Sequence, residues 1–161
     1  MFEQLLANNA AYVEREAPAP LELRPSLELA IVTCMDSRLD VFASLGLAHG
    51  QAHVLRNAGG IITDDTIRSL ALSQRRLGTT SVMLIHHEDC GLQLISEEGF
   101  SRELEEAAGE RPPFAIGAFV DVEASVRTSL GRVRSSPFLL YRDSVRGYVY
   151  ELANGRLREV G

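Results

Sequence analysis

Residues that can bind a metal ion follow two apolar segments of this sequence. The segment "LAIVTCMDSR" ends with Cys34, Asp36 and Arg38, and the later segment "VMLIHHEDC" ends with His87 and Cys90. A buried strand has no need of thiols, imidazoles and carboxylates at its end, so these residue types indicate a functional site. Two thiolates, one imidazole and one carboxylate form a ligand set typical of tetrahedral zinc, whereas Cu(I) and iron–sulfur clusters usually recruit more sulfur.

The spacing within each segment brings the candidate ligands to one side. Cys34 and Asp36 are separated by one residue, so their side chains point the same way in an extended segment. His87 and Cys90 are three positions apart, which places them on one face of a tight turn that leads into a helix. We therefore predict Cys34, Asp36, His87 and Cys90 as metal ligands.

The remaining histidines are predicted to be ordinary polar or packing residues. They are His49, His53 and His86, and His86 faces away from its neighbour His87 if the strand continues through both. A structural disulfide between the two cysteines of the chain is not expected, because thiols in the cytosol are kept reduced.

Helical and strand patterns alternate along the chain. Apolar spacing and capping residues predict helices at 2–15, 39–47, 63–78, 100–109 and 121–134. Apolar runs predict strands beginning at Leu27 and within "AHVLRNAGG" and "TSVMLIHH". The last segment, "VRGYVYELANGRLREV", predicts a β-hairpin that turns at Asn154-Gly155.

This order of elements predicts an α/β fold. We expect a mostly parallel central β-sheet flanked by helices, with an N-terminal helical arm and a C-terminal β-hairpin. In such sheets, ligands bind beyond the carboxyl ends of the strands, where the strand order reverses. Cys34 and His87 stand at two of these ends, which meet if the second strand lies on the outer side of the first. The sequence therefore predicts one site built from both segments.

The composition is that of a globular domain and excludes several classes of function. A formal net charge of -6 argues against nucleic acid as the main partner. No apolar segment approaches the roughly 18 residues of a membrane span, and the N-terminal segment lacks the basic and apolar regions of a signal peptide. We predict a single domain over residues 1–161 in the cytoplasm, in which residues 1–25 form the arm and its proline-rich tether.

The two motifs together resemble those of a known family. C-x-D-x-R at residues 34–38 and H-x-x-C at residues 87–90 are the signature of the β-class carbonic anhydrases, and the resemblance extends through "HVLRNAGG" and "RGYVYELANGRL". It implies a Rossmann-like β-carbonic anhydrase fold. It also implies an enzyme, a zinc-dependent carbonate dehydratase, that reversibly hydrates carbon dioxide to bicarbonate and a proton by zinc-bound hydroxide.

The resemblance implies a role for each motif residue. One Zn²⁺ per chain would be bound by Cys34, His87 and Cys90, with Asp36 or a water molecule in the fourth position. Arg38 would draw Asp36 away from the metal by a salt bridge. Asp36 would then accept a hydrogen bond from the hydroxide and orient its attack, so Asp36 and Arg38 are the predicted catalytic residues.

A small apolar slot for carbon dioxide is expected beside the metal. Gly59, Gly60 and Ile61 are the candidates, because glycines let the backbone approach the metal closely. One branch of the family uses a tryptophan in a non-catalytic bicarbonate site. This chain contains no tryptophan, so that site is not expected here.

The N-terminal segment predicts an oligomer. Apolar residues at helical spacing form a stripe, which consists of Phe2, Leu5, Leu6, Tyr12 and Val13. Burying each large apolar side chain is worth about 1.5–3 kcal/mol, so the stripe is costly to leave in water. The tether "APAPLELRP" is stiff and carries the helix away from its own sheet. Members of the resembled family clasp a partner with such an arm, so a homodimer or a higher homo-oligomer is expected.

Other functions are compatible with the same residues. Some relatives hydrolyse carbonyl sulfide or carbon disulfide with the same ligands, and the ligand motif does not separate these substrates from carbon dioxide. A non-catalytic zinc-binding or redox module is a second alternative, and a buried thiol pair beside a surface ion pair is a third. Nucleotide binding at "RNAGG" is disfavoured, because the G-x-G-x-x-G spacing is missing.

Overall fold

Helices and strands alternate along most of the chain. In the computed structural model, which describes residues 1–16 and 20–161, there are five α-helices and five β-strands. The helices are α1 (Phe2–Glu16), α2 (Val41–Leu45), α3 (Asp64–Arg76), α4 (Glu97–Ala108) and α5 (Val122–Ser135). The strands are β1 (Leu29–Cys34), β2 (Ala52–Asn57), β3 (Ser81–His87), β4 (Val145–Glu151) and β5 (Arg156–Val160).

The five strands form one sheet in the order β2-β1-β3-β4-β5. All neighbouring pairs are parallel except β4 and β5, which are antiparallel. The second strand therefore lies outside the first, and the strand order reverses between β1 and β3. Thr33 pairs with Ile85 in this central ladder, so the carboxyl ends of β1 and β3 stand side by side. The predicted α/β fold with a mostly parallel sheet is confirmed.

Helices cover both faces of the sheet. On one face, α3 and α5 contribute Leu70 and Val126 to a cluster that includes Val32 of β1. On the other face, Val41 of α2 belongs to a cluster with Ile31. Adjacent residues of β1 are thus fully buried on opposite faces, which explains why its sequence is continuously apolar rather than alternating.

Capping residues move the boundaries of two helices from their predicted positions. α4 begins at Glu97 rather than at residue 100, because the Ser96 side chain accepts a hydrogen bond from the backbone of the first turn. α2 is shorter than the predicted 39–47. The Asp40 side chain caps its start, and Gly46 ends it in the left-handed conformation with φ of 64°.

The start of β1 also differs from the prediction, whereas α3 agrees with it. β1 begins at Leu29 rather than at Leu27, because Glu28 has a φ of 51° and interrupts the extended backbone. α3 is capped by the Thr63 hydroxyl, which accepts a hydrogen bond from the backbone N–H of Thr66. The helix itself runs from Asp64 to Arg76, so it starts one residue after the predicted start and ends two residues before the predicted end.

The two ends of the chain have the predicted local structures. β4 and β5 form the expected hairpin, in which Gly155 adopts a φ of 75° at the turn. α1 is the expected N-terminal helix, and most of its apolar stripe lies in solvent, with Phe2 74% and Leu6 69% exposed, whereas Tyr12 is half-buried against His49. Residues 17–19 of the predicted tether lie outside the described residues. No described helix has the length and apolar character that crossing a membrane requires.

Gly60→Ala should destabilise the fold. Gly60 has a φ of 66°, and a Cβ atom there would lie 2.7 Å from the Cys34 nitrogen and 2.8 Å from the Thr33 carbonyl carbon. Backbone atoms cannot yield easily, so we expect the free energy of unfolding to fall by roughly 2–4 kcal/mol in urea denaturation.

Gly131→Ala is the matched control. Gly131 lies within α5, and a Cβ there would meet no atom within 4 Å. This substitution should leave stability unchanged or increase it by up to about 1 kcal/mol. Equal stabilities of the two variants would show that the turn after β2 tolerates a side chain.

Candidate metal centre

Three of the four predicted ligands meet at the carboxyl edge of β1 and β3. The sulfur atoms of Cys34 and Cys90 are 3.9 Å apart, and a ring nitrogen of His87 joins them in a cluster whose atoms all lie within 4.8 Å of one another. All three side chains are buried. Asp36 borders this cluster, with its Oδ2 atom 3.7 Å from Nε2 of His87. The parallel pairing of two distant segments thus creates a site that can hold a metal ion.

The turn after β1 is anchored to both neighbouring strands. On the β2 side, Arg56 donates from Nε to the Cys34 carbonyl at 2.9 Å and from Nη2 to the Asp36 carbonyl at 2.6 Å. On the β3 side, the buried Thr33 hydroxyl donates to the Ile85 carbonyl at 2.9 Å. These contacts fix the backbone that carries Cys34 and Asp36 before any metal binds.

The imidazole of His87 presents one nitrogen to the cluster. Its Nδ1 atom lies 2.8 Å from the Glu88 carbonyl, which can only accept, so Nδ1 carries the proton. Nε2 is buried and has no hydrogen-bond partner among the described residues. Burial acts to lower the pKa of His87, but the Cys34 sulfur and the Glu88 carbonyl outweigh burial and raise it. The lone pair of Nε2 is thus available to a metal ion once the ring is neutral.

The hydrogen bond between the two thiols shifts their pKa values in opposite directions. The hydrogen bond from Cys90 lowers the pKa of Cys34 to about 4, against the opposing effect of burial, and His87 and nearby backbone N–H groups add to this lowering. The same hydrogen bond and burial raise the pKa of Cys90 well above its usual range. The contact thus favours ionisation at Cys34 and retention of the proton at Cys90. A metal ion that binds both sulfurs must displace the Cys90 proton.

Asp36 is held by Arg38. The guanidinium donates from Nε to Oδ1 at 3.0 Å and from Nη2 to Oδ2 at 2.7 Å, and the Arg38 backbone N–H donates to Oδ1 at 2.9 Å. These hydrogen bonds hold the pKa of Asp36 well below its usual range. The carboxylate is therefore ionised at all physiological pH values and is turned towards the arginine.

An apolar cavity of about 980 Å³ opens beside the cluster. Ile61, Leu92 and Phe119 line it and also pack around the two cysteines. Of the three residues predicted for the substrate slot, Ile61 lines this cavity. The Gly60 backbone instead packs against β1 and β3, and a Cβ at Gly59 would lie 2.4 Å from Leu92 Cδ1. The glycines thus permit close packing around the cluster.

The other histidines lie outside the cluster. His86 is fully buried against the Phe119 ring, with 6.1 Å between ring centroids, and burial lowers its pKa to about 4. His53 contacts the Ser73 hydroxyl through Nδ1 at 2.8 Å, and His49 lies in solvent near the α1 helix. These positions agree with the expected packing and polar roles.

Sequence reasoning missed three residues that support the site. Arg56 anchors the turn of Cys34, and Asp89 binds Arg38 from the opposite turn. The Gln93 side chain accepts from the Cys90 backbone N–H at 3.1 Å and donates to the Val120 carbonyl at 3.1 Å. Arg56 could have been found from its place at the end of β2, beside β1. Asp89 and Gln93 act through turn geometry, which residue spacing does not reveal.

The cluster fits a tetrahedral zinc ion. Two zinc–sulfur bonds of about 2.3 Å at the tetrahedral angle place the sulfurs about 3.8 Å apart. The observed separation of 3.9 Å is close to this value. The unpartnered Nε2 of His87 supplies a third ligand atom, so the donor set needs no rearrangement of the fold to hold the ion.

Known proteins share both the sequence and the fold. The profile of a family described as carbonic anhydrase matches residues 29–110. "Beta-carbonic anhydrase 1" of Mycobacterium tuberculosis is 45% identical over 158 residues, which cover 98% of this chain and 96% of that protein. A carbonic anhydrase structure from Streptococcus mutans superposes with a TM-score of 0.93 at 42% identity, covering 99% of this chain and 97% of the other.

A relative with a different name shares less of the sequence. "Carbon disulfide hydrolase" of Acidithiobacillus thiooxidans is 31% identical over 183 residues, covering 97% of this chain and 84% of that protein. The family profile includes both segments that build the cluster, and the mycobacterial relative matches along nearly its whole length. This chain therefore belongs to the β-carbonic anhydrase family.

Proposed function

We propose that this chain catalyses the reversible hydration of carbon dioxide to bicarbonate and a proton, with one Zn²⁺ per chain bound by Cys34, His87 and Cys90. The observation that carries the proposal is the buried cluster of two sulfurs and an unpartnered imidazole nitrogen, bordered by the ionised Asp36. Zinc in such a site supplies the acidification of water that makes a nucleophile available near neutral pH.

Asp36 and Arg38 are proposed to control how water approaches the carbon dioxide carbon. Because Arg38 binds both carboxylate oxygens, Asp36 stays ionised and held by the guanidinium. Its Oδ2 atom still borders His87 Nε2, so it can accept a hydrogen bond from the attacking water and orient it. The lowered pKa makes Asp36 a weak base, so the proton produced must leave through solvent or buffer rather than stay on this carboxylate.

The apolar cavity supports a small, uncharged substrate. Ile61, Leu92 and Phe119 offer carbon dioxide a surface without competing hydrogen-bond donors. We assign the substrate slot to this wall, with Gly59 and Gly60 allowing the wall to approach the cysteines. An apolar wall does not exclude a larger uncharged molecule, which is the reason for a second candidate.

Carbon disulfide or carbonyl sulfide hydrolysis is the second candidate function. The named carbon disulfide hydrolase relative and the apolar cavity both favour it. Carbon dioxide remains the preferred substrate in our proposal, because the relative named for carbonic anhydrase is 45% rather than 31% identical. A non-catalytic zinc or redox module would have no use for an ionised carboxylate bordering the ligands.

We propose a homodimer or a higher homo-oligomer in which α1 covers a partner subunit. Phe2, Leu5 and Leu6 are each more than half exposed, although they lie together on one helix. Such a row of apolar side chains is costly to leave in water. A cytoplasmic location remains a prediction, supported by the two free cysteines.

His87→Ala and Cys90→Ser should each lose most of the bound zinc, whereas His49→Ala should keep it. A methyl group offers no ligand, and a neutral hydroxyl is a poor substitute for a thiolate. His49 is an exposed imidazole outside the cluster, which makes it a matched control. Zinc per chain would be measured by atomic absorption after dialysis. Full occupancy in Cys90→Ser would remove Cys90 from the ligand set.

Zinc affinity of the wild-type protein should rise with pH. The pKa values of His87 and Cys90 are both raised, so protons compete with zinc for both groups more strongly than they would for an ordinary imidazole or thiol. Affinity should therefore fall as pH falls through the His87 pKa, with proton release visible in a weakly buffered titration. A pH-independent affinity without proton release would contradict these ligand assignments.

Zinc-loaded protein should hydrate carbon dioxide in stopped-flow assays far faster than it hydrolyses carbon disulfide or carbonyl sulfide. All three substrates would be tested on one preparation, with His87→Ala as the metal-poor control. Hydrolysis of either sulfur compound without carbon dioxide hydration would establish the second candidate. Full zinc occupancy with none of the three activities would instead indicate a non-catalytic module.

Deleting residues 1–16 should shift the protein towards monomers in light scattering, because the apolar stripe of α1 would be lost. The substitution pair Leu5→Ala and Leu6→Ala should act in the same direction. The double substitution Gln4→Ala and Asn8→Ala is the control, because these exposed polar side chains form a hydrogen bond with each other and do not belong to the apolar stripe. A full-length, active monomer at micromolar concentration would overturn the proposed assembly.

A further inference from the structure

Arg38 binds two carboxylates, one in each of the two turns that carry the candidate metal ligands. Besides its contacts with Asp36, it donates from Nη1 to Oδ2 of Asp89 at 2.7 Å and from Nη2 to the Asp89 carbonyl at 2.9 Å. Asp89 belongs to the turn between His87 and Cys90, whereas Asp36 follows β1. The guanidinium therefore bridges the two turns that carry the ligands.

Asp89 has a backbone conformation suited to this contact. Its φ of 54° is in the left-handed region, where only one other described non-glycine residue, Glu28, is found. Aspartate tolerates this region better than most residues, because its short polar side chain bonds locally. The conformation lets Asp89 direct both its carbonyl and its carboxylate at one guanidinium.

Arg38 needs such a second anchor if it is to hold Asp36. Its side chain is 48% exposed, and an ion pair at that level of exposure is weak when the arginine can take other rotamers. The contacts with Asp89 restrict those rotamers and leave Nε and Nη2 directed at Asp36. Asp36 itself is 3.7 Å from Nε2 of His87, close enough to compete for the metal position if it were released.

We propose that Asp89 is a positioning residue that acts through Arg38 to keep the Asp36 carboxylate off the metal. The proposal rests on the proposed function, in which zinc is bound by Cys34, His87 and Cys90. Removal of the Asp89 side chain frees Arg38, and Asp36 then becomes a fourth protein ligand for part of the time. Zinc is bound more tightly as a result, and water has less access to it.

The test uses Asp89→Gly and Asp89→Asn, because both residues accept a positive φ and so leave the turn unstrained. Zinc loss to excess chelator should slow about fivefold in Asp89→Gly, and carbon dioxide hydration at neutral pH should fall by a similar factor, as expected for one partly exposed ion pair. Asp89→Asn, which keeps a hydrogen-bond acceptor without the charge, should lie between wild type and Asp89→Gly. Glu103→Gln is the control, because Glu103 is an exposed carboxylate on α4 and its substitution removes a surface charge away from Arg38.

The Arg38→Ala variant distinguishes a role of Asp89 that depends on Arg38 from a role in the general stability of the site. If Asp89 acts through Arg38, adding Asp89→Gly to Arg38→Ala should change neither zinc loss nor activity further. Faster zinc loss in Asp89→Gly, or an additive effect in the double variant, would overturn the proposal, because either result means that Asp89 supports the site independently of Arg38. The chelator measurement needs no turnover. If the wild type binds zinc but does not hydrate carbon dioxide, the proposed function is refuted. The rates of zinc loss would still decide the role of Asp89.

Discussion

The site depends on the parallel pairing of β1 with β3. Neither segment holds a complete ligand set, since Cys34 ends one strand and His87 ends the other. The pairing has to be parallel, because only then do two carboxyl ends lie at the same edge of the sheet. β1 and β3 are also the interior strands where the order reverses, so each is held by a further strand on its outer side. The position of the ligands is therefore as rigid as the centre of the fold.

Charge at this edge is concentrated and balanced by arginines. A metal-loaded site would contain two thiolates and the Asp36 carboxylate, which together exceed the charge of a divalent ion. Arg38 faces the carboxylate directly, and Arg56 binds the carbonyl groups of the same turn. Arginine suits both tasks, since its rigid fork binds two acceptors at once and it does not lose its charge at physiological pH. The ligands are buried while their counter-charges stay near solvent, so the ion pairs carry little desolvation cost.

The sequence was sufficient for the fold class and for the main cluster. Continuous apolar runs and capping residues marked the elements, and motif spacing identified Cys34, His87 and Cys90, because strand ends and turn positions have local signatures. The boundaries of the elements were less well predicted. The start of β1 depends on the left-handed backbone of Glu28, and the start of α4 depends on one hydrogen bond to the Ser96 side chain. Asp89 could not be assigned from sequence. Its contact with Arg38 joins residues far apart in the chain, and no periodicity encodes such a contact.

The separation of the ligands along the chain has a consequence for how the site forms during folding. His87 and Cys90 are neighbours and can meet in an unfolded chain, whereas Cys34 must close a loop of 56 residues to reach Cys90. Closing such a loop carries an entropic cost, and non-local pairing of parallel strands is a slow event in folding. An unfolded chain can thus present only a two-ligand fragment that holds metal weakly. The complete set exists only once the centre of the sheet is assembled, so tight binding of an ion requires that β1 and β3 have already paired.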